Sequence, residues 1–472
     1  MSRGWETVFA VMMGMAGVLW AQGNPPVVVS SAAGGQKVSL TVYHVGRALV
    51  RDTRWVDLPQ GLVRLEYRDI AAQVMPQTVA FTADQTEVLE QNYEYDLLSP
   101  QTLLAKFLGK EVTLVREEPR LDGPGTVRQE VRATLLSLEN GTVWRIGDRI
   151  VANPAYRELA FDNVPPTLRD RPTLVWLLRS LSGGKRNVQT TYLTEGLKWQ
   201  ADYVLSLEQK GEQGSLTGWV TLSNTSGASY PEATLQLVAG EVHVVRPQPE
   251  RVPVVMAAAK EARSMEEEAL GEYHLYTLDR PTTILDRQDK QVSLLTAHGV
   301  RVVKRLVVQG FPGNFWGRQE LRREPVRVRL ELANTAANNL GLPLPAGVVR
   351  VYQRDRRGTE QFMGEDRIQH TPKDEQVKLE VGTAFDVVAE RVQTDFRTFD
   401  KTVESAFEIR LRNHKDEAVV VEVEETIAGE WEMLSYSLPY RKLSAFSVLF
   451  SVPVPAQGQA TLTYRVRVRR PA

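Results

Sequence analysis

The stretch PVRVRLELAN, residues 325–334, decides the fold class of this chain. Its apolar residues stand at every second position and alternate with arginine or glutamate; they are Val326, Val328, Leu330 and Leu332. Because successive side chains of a β-strand point to opposite faces, this alternation predicts a strand with one face in a core and the other in water. Strands of this kind are typical of antiparallel sheets that stack face to face.

The same alternation recurs along the chain in LVRLEYRD (residues 62–69), AFEIRLRN (406–413) and TLTYRVRVRR (461–470). One segment differs, because SPQTLLAKFLGK places Ser99 as a helix N-cap, Pro100 at the first helical position and Gly109 as a stop. That segment predicts a short helix. We therefore expect an all-β, multi-domain chain of stacked antiparallel β-sandwich domains with little helix.

Turn residues and changes in composition predict where the chain divides. The predicted parts are a signal peptide at 1–21, an N-terminal β-domain at 22–98, a helix with a small barrel-like or meandering β insert at 99–164, the first part of a main β region at 165–323, and a C-terminal β-sandwich part at 324–472. Residues 254–270, VVMAAAKEARSMEEEAL, show neither strand alternation nor a core pattern. We expect that segment to be a mobile loop.

The first residues predict export. An apolar run from Val8 to Trp20 suits a secretory signal and falls short of the roughly 20 apolar residues of a membrane span. Cleavage near Ala21 is expected, which would make the protein periplasmic or associated with the cell envelope. Because Glu6 cancels Arg3 ahead of the run, an uncleaved anchor is the alternative. The chain contains no cysteine, so its cores must be stable without disulfides.

The stretch LSGGKR, residues 181–186, begins like the signature loop of an ATP-binding cassette. A cassette ATPase also needs the phosphate loop G-x-x-x-x-G-K-[ST], and this sequence has none. Two local structures remain open. Leucine spacing allows a helix that ends at Gly183, whereas the Thr, Val and Tyr content favours a hairpin of TLVWLLRS (173–180) and NVQTTYLT (187–194) joined by a Gly-Gly turn.

Composition and motifs exclude several function classes. The formal net charge of −1 gives no basic footprint for nucleic acid. The six histidines form neither H-x-H nor H-E-x-x-H, and no G-x-S-x-G elbow is present. The sequence therefore predicts no catalytic residue, no cofactor and no local metal site. A site assembled from residues far apart in sequence remains open.

Two features are candidates for binding a partner. GFPGNFWGRQELRRE, residues 310–324, places Phe311, Phe315 and Trp316 among glycines and arginines, where aromatic side chains can anchor an interface or carry a sugar. They can equally close the end of a sandwich. The last strand carries Arg465, Arg467 and Arg469 on one face, which indicates either a solvated face or contact with an anionic envelope polymer or lipid.

Longer stretches carry a family resemblance. TTYLTEGLKWQADYVLSL (190–207), GSLTGWVTLSNTSGASYPEATLQLVAGEV (214–242), EYHLYTLDRPTTILDRQDKQVSLL (272–295) and GVVRVYQRDRRGTEQFMGEDRIQHTPKDEQVKLEVGTAFDVVAERVQTDF (347–396) resemble an exported bacterial family, domain of unknown function forty-one thirty-nine, which includes the mucoidy inhibitor A-like proteins. The resemblance runs from about Pro172 to the C-terminus, and more weakly to LTVYHVGRALVRD (40–52). It implies an all-β exported protein and supplies no reaction. This chain departs from the mucoidy-inhibitor members, because the small insert stands where they have a central coiled coil, so no function of that coiled coil is carried over.

Within the part of the chain that resembles this family, Trp199 and Tyr203 are four residues apart and so share one face of a strand, where we expect them in a sandwich core.

Two functions follow from the sequence. The first is a non-catalytic exported envelope protein that binds a protein or glycan partner through its β-domains. The alternative is an envelope-directed hydrolase, which would need a cleft lined by convergent acids or a histidine pair.

Overall fold

The structure, a computed structural model, describes residues 24–119, 124, 126–165, 167–240, 265–270 and 273–469. The predicted signal peptide at 1–21 and residues 254–264 of the predicted loop lie outside them. Strands dominate the described part, and its one α-helix is α1, Pro100–Lys106. A helix with the length and hydropathy of a membrane span is absent from the described residues. The predicted all-β class is therefore confirmed.

The strands follow in chain order. Those of the first 195 residues are β1 Val27–Ser30, β2 Gln36–Tyr43, β3 Arg47–Leu58, β4 Gly61–Arg68, β5 Ala80–Ala83, β6 Thr86–Glu94, β7 Glu111–Pro119, β8 Thr126–Ser137, β9 Val143–Ile146, β10 Arg149–Ala152, β11 Glu158–Ala160, β12 Thr173–Ser180 and β13 Gly184–Glu195. Those up to residue 324 are β14 Leu197–Leu207, β15 Gln213–Asn224, β16 Tyr230–Ala239, β17 Met265–Leu270, β18 Tyr273–Leu278, β19 Thr282–Ile284, β20 Gln288–Arg301, β21 Val303–Gln309 and β22 Arg322–Glu324. The last are β23 Arg327–Ala333, β24 Gly347–Arg354, β25 Glu360–Ile368, β26 Gln376–Thr383, β27 Val387–Thr398, β28 Thr402–Asn413, β29 Val419–Thr426, β30 Trp431–Tyr436, β31 Tyr440–Ser444, β32 Ser447–Val454 and β33 Gly458–Arg469.

Contacts divide the chain into two compact units, neither of which is continuous in sequence. The first contains the described residues up to Gln36 together with Arg54–Ile70 and Phe81–Gln189. The second contains Lys37–Thr53, Ala71–Ala80 and the described residues from Thr190 onward. The boundaries predicted at residues 98, 164 and 323 are linear; as limits of independently folding domains they stay a prediction.

The insert lies in the first unit and is an open sheet. Ser99 caps α1 as predicted, with its hydroxyl accepting from the Thr102 backbone N–H. The strand order is β10-β9-β8-β7-β11, so four strands form a meander and β11 is added at its far side. Phe107, Leu114 and Trp144 are buried together on one face of this sheet. The barrel-like description is therefore wrong, and the meander is right, because β10 and β11 remain end strands in the described residues.

The predicted hairpin around the Gly-Gly turn is half right. Both strands form, but β12 pairs with β4 and β6, whereas β13 lies between β3 and β5 in a different sheet. The reason is Arg186, whose guanidinium donates to the carbonyls of Ser182, Asp84 and Gln85. It thereby ties the Gly-Gly segment to the turn between β5 and β6. Gly183 and Gly184 therefore connect β12 in one sheet with β13 in another.

The predicted mobile loop is wrong over its last six residues. Met265–Leu270 is β17, which pairs along its whole length with β18. Met265 is fully buried. An alternating pattern is absent from this segment because its charged residues are consecutive, but pairing with β18 satisfies its backbone groups and keeps it in the sheet.

The C-terminal part of the second unit is a β-sandwich. One sheet has the order β26-β23-β21-β29-β32-β31 and the other β22-β27-β28-β33-β30. Their inner faces share one apolar core, to which β28 contributes Phe407 and β33 contributes Tyr464 and Val466. The alternation seen in the sequence of β4, β23, β28 and β33 is confirmed, with their apolar positions facing inward.

Candidate functional site

The predicted aromatic segment at residues 311–316 is split between surface and core. Phe311 is 63% exposed, whereas Phe315 is fully buried at the end of a 3-10 helix, Pro312–Phe315. The Phe315 ring meets Phe407 edge to face, with centroids 5.5 Å apart. Trp316 is half-buried and packs against the same core. Phe315 is therefore not a binding residue, because it fills the end of the sandwich.

The three arginines of β33 lie on one face, as predicted, and each has an acidic partner. Arg465 lies 2.8 Å from Asp395, Arg467 lies 2.7 Å from Glu404 and Arg469 lies 3.0 Å from Glu430. The hydrogen bond from Arg465 lowers the pKa of Asp395. These pairs form a mixed, neutralised surface, which is typical of a solvated strand face.

Gly429 lies close to the ring of one predicted residue, Trp316, and to the backbone of another, Arg469. A Cβ placed on Gly429 would lie 3.9 Å from Trp316 Cη2 and 3.1 Å from the backbone oxygen of Arg469. Gly429 stands between β29 and β30, the strand that forms one end of its sheet. The predicted residues Trp316 and Arg469 therefore lie next to the start of β30.

That strand, β30, and its successor β31 form an aromatic surface that the sequence did not single out. β30 ends one sheet of the sandwich and β31 ends the other. The ring of Tyr440 in β31 meets Tyr436 of β30 at 5.3 Å and Trp431 of β30 at 6.2 Å. Lys442 holds its ammonium 4.5 Å from the centre of the Trp431 ring. We call this surface, with the exposed Phe446, the aromatic edge; it comprises Trp431, Tyr436, Tyr440, Lys442 and Phe446.

The aromatic edge is anchored in the core. Tyr440 contacts Phe450, and Phe450 stacks on Tyr464, which also contacts Phe407. Tyr436 is 53% exposed, while the rings behind it are buried. The Trp431 indole N–H donates to the carbonyl of Ala445, which fixes its ring. Because the neighbouring Trp431 ring is fixed by this hydrogen bond, the exposed aromatic surface loses little conformational entropy when it binds a partner. Low entropy loss is typical of residues that anchor an interface.

A β-bulge explains why this surface is hard to see in the sequence. Trp431 and Met433 stand opposite Val468 and Val466, and the register then shifts so that Tyr436 stands opposite Tyr464. Directly opposite residues share one face, so Trp431, Met433 and Tyr436 are on the same side of β30. Without the bulge, strict alternation would place Tyr436 on the other side.

A charged pair lies inside the same sandwich. Arg391 Nη1 of β27 lies 2.6 Å from Glu425 Oε1 of β29, and both residues are buried. Arg391 also donates to Glu324 Oε1 at 3.2 Å and to the Tyr464 hydroxyl at 3.1 Å. Burial is the largest single effect and would lower the pKa of the Arg391 guanidinium, but Glu425, Tyr464 and Glu324 together raise that pKa. Burial, and then Glu425, raise the pKa of Tyr464.

The pair is tightly enclosed. A side chain at Gly310 would collide with Glu425 Oε2, and within the described residues neither Glu425 oxygen accepts a well-aligned hydrogen bond. Arg391 and Glu425 therefore form an ion pair between the two sheets of the sandwich. They are structural groups, because no open surface reaches a residue as buried as Glu425.

The fold also brings two histidines together. The rings of His44 and His370 are 5.9 Å apart, and His44 lies edge to face with Trp199 at 5.5 Å. His370 Nδ1 accepts from the Ala346 backbone N–H, so the lone pair of that nitrogen is already used. Across the described ranges, no group of three or more His, Asp or Glu side chains is placed to hold a metal ion.

A scan against protein-family models finds no match for this chain, and a search of the curated proteins finds none either. The resemblance to the exported bacterial family stays a prediction that rests on the stretches quoted above. The geometry of the aromatic edge therefore carries the functional conclusion.

Proposed function

We propose that this chain is a non-catalytic exported envelope protein that binds a polysaccharide at the aromatic edge. The observation that carries the proposal is the meeting of Trp431, Tyr436 and Tyr440 across the two end strands of the sandwich. The exposed Tyr436 ring offers an apolar face to the C–H side of a pyranose, and the tyrosine hydroxyls and the Lys442 ammonium are groups that can hydrogen-bond its hydroxyls. The family that this chain resembles is exported and all-β, which supports this role.

A glycan suits this surface better than an added protein strand. β30 shifts register between Met433 and Ser435, and β31 does so between Lys442 and Ser444. A bulge on an end strand twists its backbone away from the plane that a further strand must share. Both end strands therefore disfavour strand addition, whereas the Tyr436 ring between them is exposed and Trp431 and Tyr440 are half-buried beside it.

Removal of the Tyr436 ring tests the proposal. We expect Tyr436→Ala to weaken co-sedimentation of the full chain with peptidoglycan sacculi or chitin by about tenfold, equivalent to about 1.4 kcal/mol. Its stability should change by less than about 1 kcal/mol, because the side chain is half exposed. The matched control is Tyr95→Ala, an exposed tyrosine of the first unit, which should bind like the parent.

Two results would overturn the glycan assignment. One is equal retention of the Tyr436→Ala and parent proteins on both polymers. The other is no retention of the parent while an envelope protein is captured by the parent and lost by Tyr436→Ala, which would make the partner a protein.

Export is the second part of the proposal, and it rests on the apolar run from Val8 to Trp20. Intact mass spectrometry of the native protein should show a chain that begins near Gln22. A mass that includes residues 1–20 would contradict cleavage and favour the anchor. The hydrolase alternative needs a cleft lined by convergent acids or a histidine pair. His44 and His370 form such a pair, but the Ala346 backbone N–H already occupies His370 Nδ1.

A further inference from the structure

The insert carries an open groove that the aromatic edge does not explain. It is formed by β7, β10 and the segment that follows β10, and its volume is about 620 Å³. Volumes of about 300–1,000 Å³ are usual for small-molecule sites. The lining residues are Arg116, Glu117, Val151, Pro154, Ala155, Tyr156 and Arg157. All of them belong to the first unit.

The groove keeps one uncompensated positive charge. Arg157 forms an ion pair with Glu117, so those two charges cancel. Among the side chains that the structure describes, Arg116 has no hydrogen-bond or ion-pair partner, and its Nε is buried without one. A buried donor without a partner is costly, and a carboxylate or phosphate oxygen would satisfy it.

An aromatic wall stands beside this charge. Tyr156 is half-exposed, and its ring lies edge to face with the buried Trp144 at a centroid distance of 6.4 Å. The Arg157 backbone N–H donates to the Val115 carbonyl at 2.8 Å, which fastens this segment to β7. Pro154, Ala155 and Val151 complete an apolar lining. The groove thus combines a fixed apolar wall with a guanidinium fork.

From this combination we infer that the groove binds a small organic anion, a carboxylate or phosphate carried on an apolar ring. The anion pairs with Arg116, and the ring lies against Tyr156 and Pro154. A guanidinium binds both kinds of oxyanion through two parallel N–H groups, so the shared chemistry is the anion. The site is separate from the proposed glycan function, since it uses other residues and another ligand.

Isothermal titration of the full chain with benzoate and with phenyl phosphate tests the inference, with benzamide as the neutral probe. We expect at least one anion to bind and benzamide to bind at least about tenfold more weakly. Arg116→Met should weaken the bound anion by at least about tenfold. The matched control Arg145→Met, an exposed arginine of β9 outside the groove, should bind like the parent. The tighter of the two probes identifies the oxyanion class.

Folding is checked by thermal unfolding of each variant, and Tyr156→Ala supplies a second test if Arg116→Met unfolds early. Tyr156→Ala should weaken binding of the ring-bearing probe while acetate, which has no ring, binds equally to both proteins. Failure of both anions to bind at about 10 mM, or equal binding of benzamide, overturns the inference. Neither result bears on sedimentation with polysaccharide, which depends on Tyr436.

Discussion

Replacing Arg391 by methionine is expected to lower the free energy of unfolding by about 3–5 kcal/mol. The change removes the cation between Glu425 and Glu324 while leaving both carboxylates inside the sandwich. Burial of a carboxylate without its partner is far more costly than the pair itself, because no water replaces the lost contact. Chemical denaturation of the full chain, followed by tryptophan fluorescence, measures the loss.

A second variant separates the charge from the packing. Arg391→Met combined with Glu425→Leu should recover most of the loss, because two apolar side chains then face each other in the core. Glu324 keeps Arg322 as a neighbour at 3.5 Å. The matched control is Arg467→Met on the outer face, whose pair is partly exposed and should contribute at most about 1 kcal/mol. Equal losses for Arg391→Met and Arg467→Met would contradict a buried structural pair.

Replacing Trp199 by alanine is expected to lower the free energy of unfolding by about 3–5 kcal/mol. Trp199 is buried on the face of β14 that also buries Tyr203, whose hydroxyl donates to the Pro345 carbonyl at 2.8 Å. Removal of the indole leaves a cavity beside the His44 ring, which Trp199 meets edge to face. Denaturant unfolding measures the loss, and Trp219→Ala on the neighbouring strand is the control, because that ring is 39% exposed.

Trp199→Phe separates the packing of the ring from the effect of the indole N–H. The Trp199 indole N–H is buried without a hydrogen-bond partner among the described residues. Phenylalanine keeps much of the ring packing and removes that donor, so the loss should stay below about 1.5 kcal/mol. A Trp199→Ala loss below about 1 kcal/mol would refute the core assignment and make Trp199 a surface group.

Much of the fold was predictable because alternation reports burial directly. The apolar positions of PVRVRLELAN and TLTYRVRVRR face the core as predicted, and so does Trp199. Which strands pair was not predictable, because pairing depends on contacts far apart in sequence. Gly183 and Gly184 mark a turn, but only Arg186, bound to carbonyls about a hundred residues earlier, shows that the chain leaves one sheet there.

The binding surface was harder to predict than the fold. Phe315 and Phe311 belong to one short segment, yet one is buried and the other exposed, since a 3-10 helix turns their side chains in different directions. The aromatic edge depends on a bulge that brings Tyr436 onto the face of Trp431. The clustering of Trp431, Tyr436 and Tyr440 within ten residues is a signal that could have found it.

Hydroxyl-radical footprinting with mass spectrometry tests the binding surface most directly. The full chain is labelled with and without peptidoglycan sacculi, and oxidation is compared at Trp431, Tyr436 and Tyr440. We expect protection of these rings, while the oxidation of Trp55 and Phe385, both exposed elsewhere, stays unchanged. Protection at Trp55 or Phe385 with none at Tyr436 would contradict it.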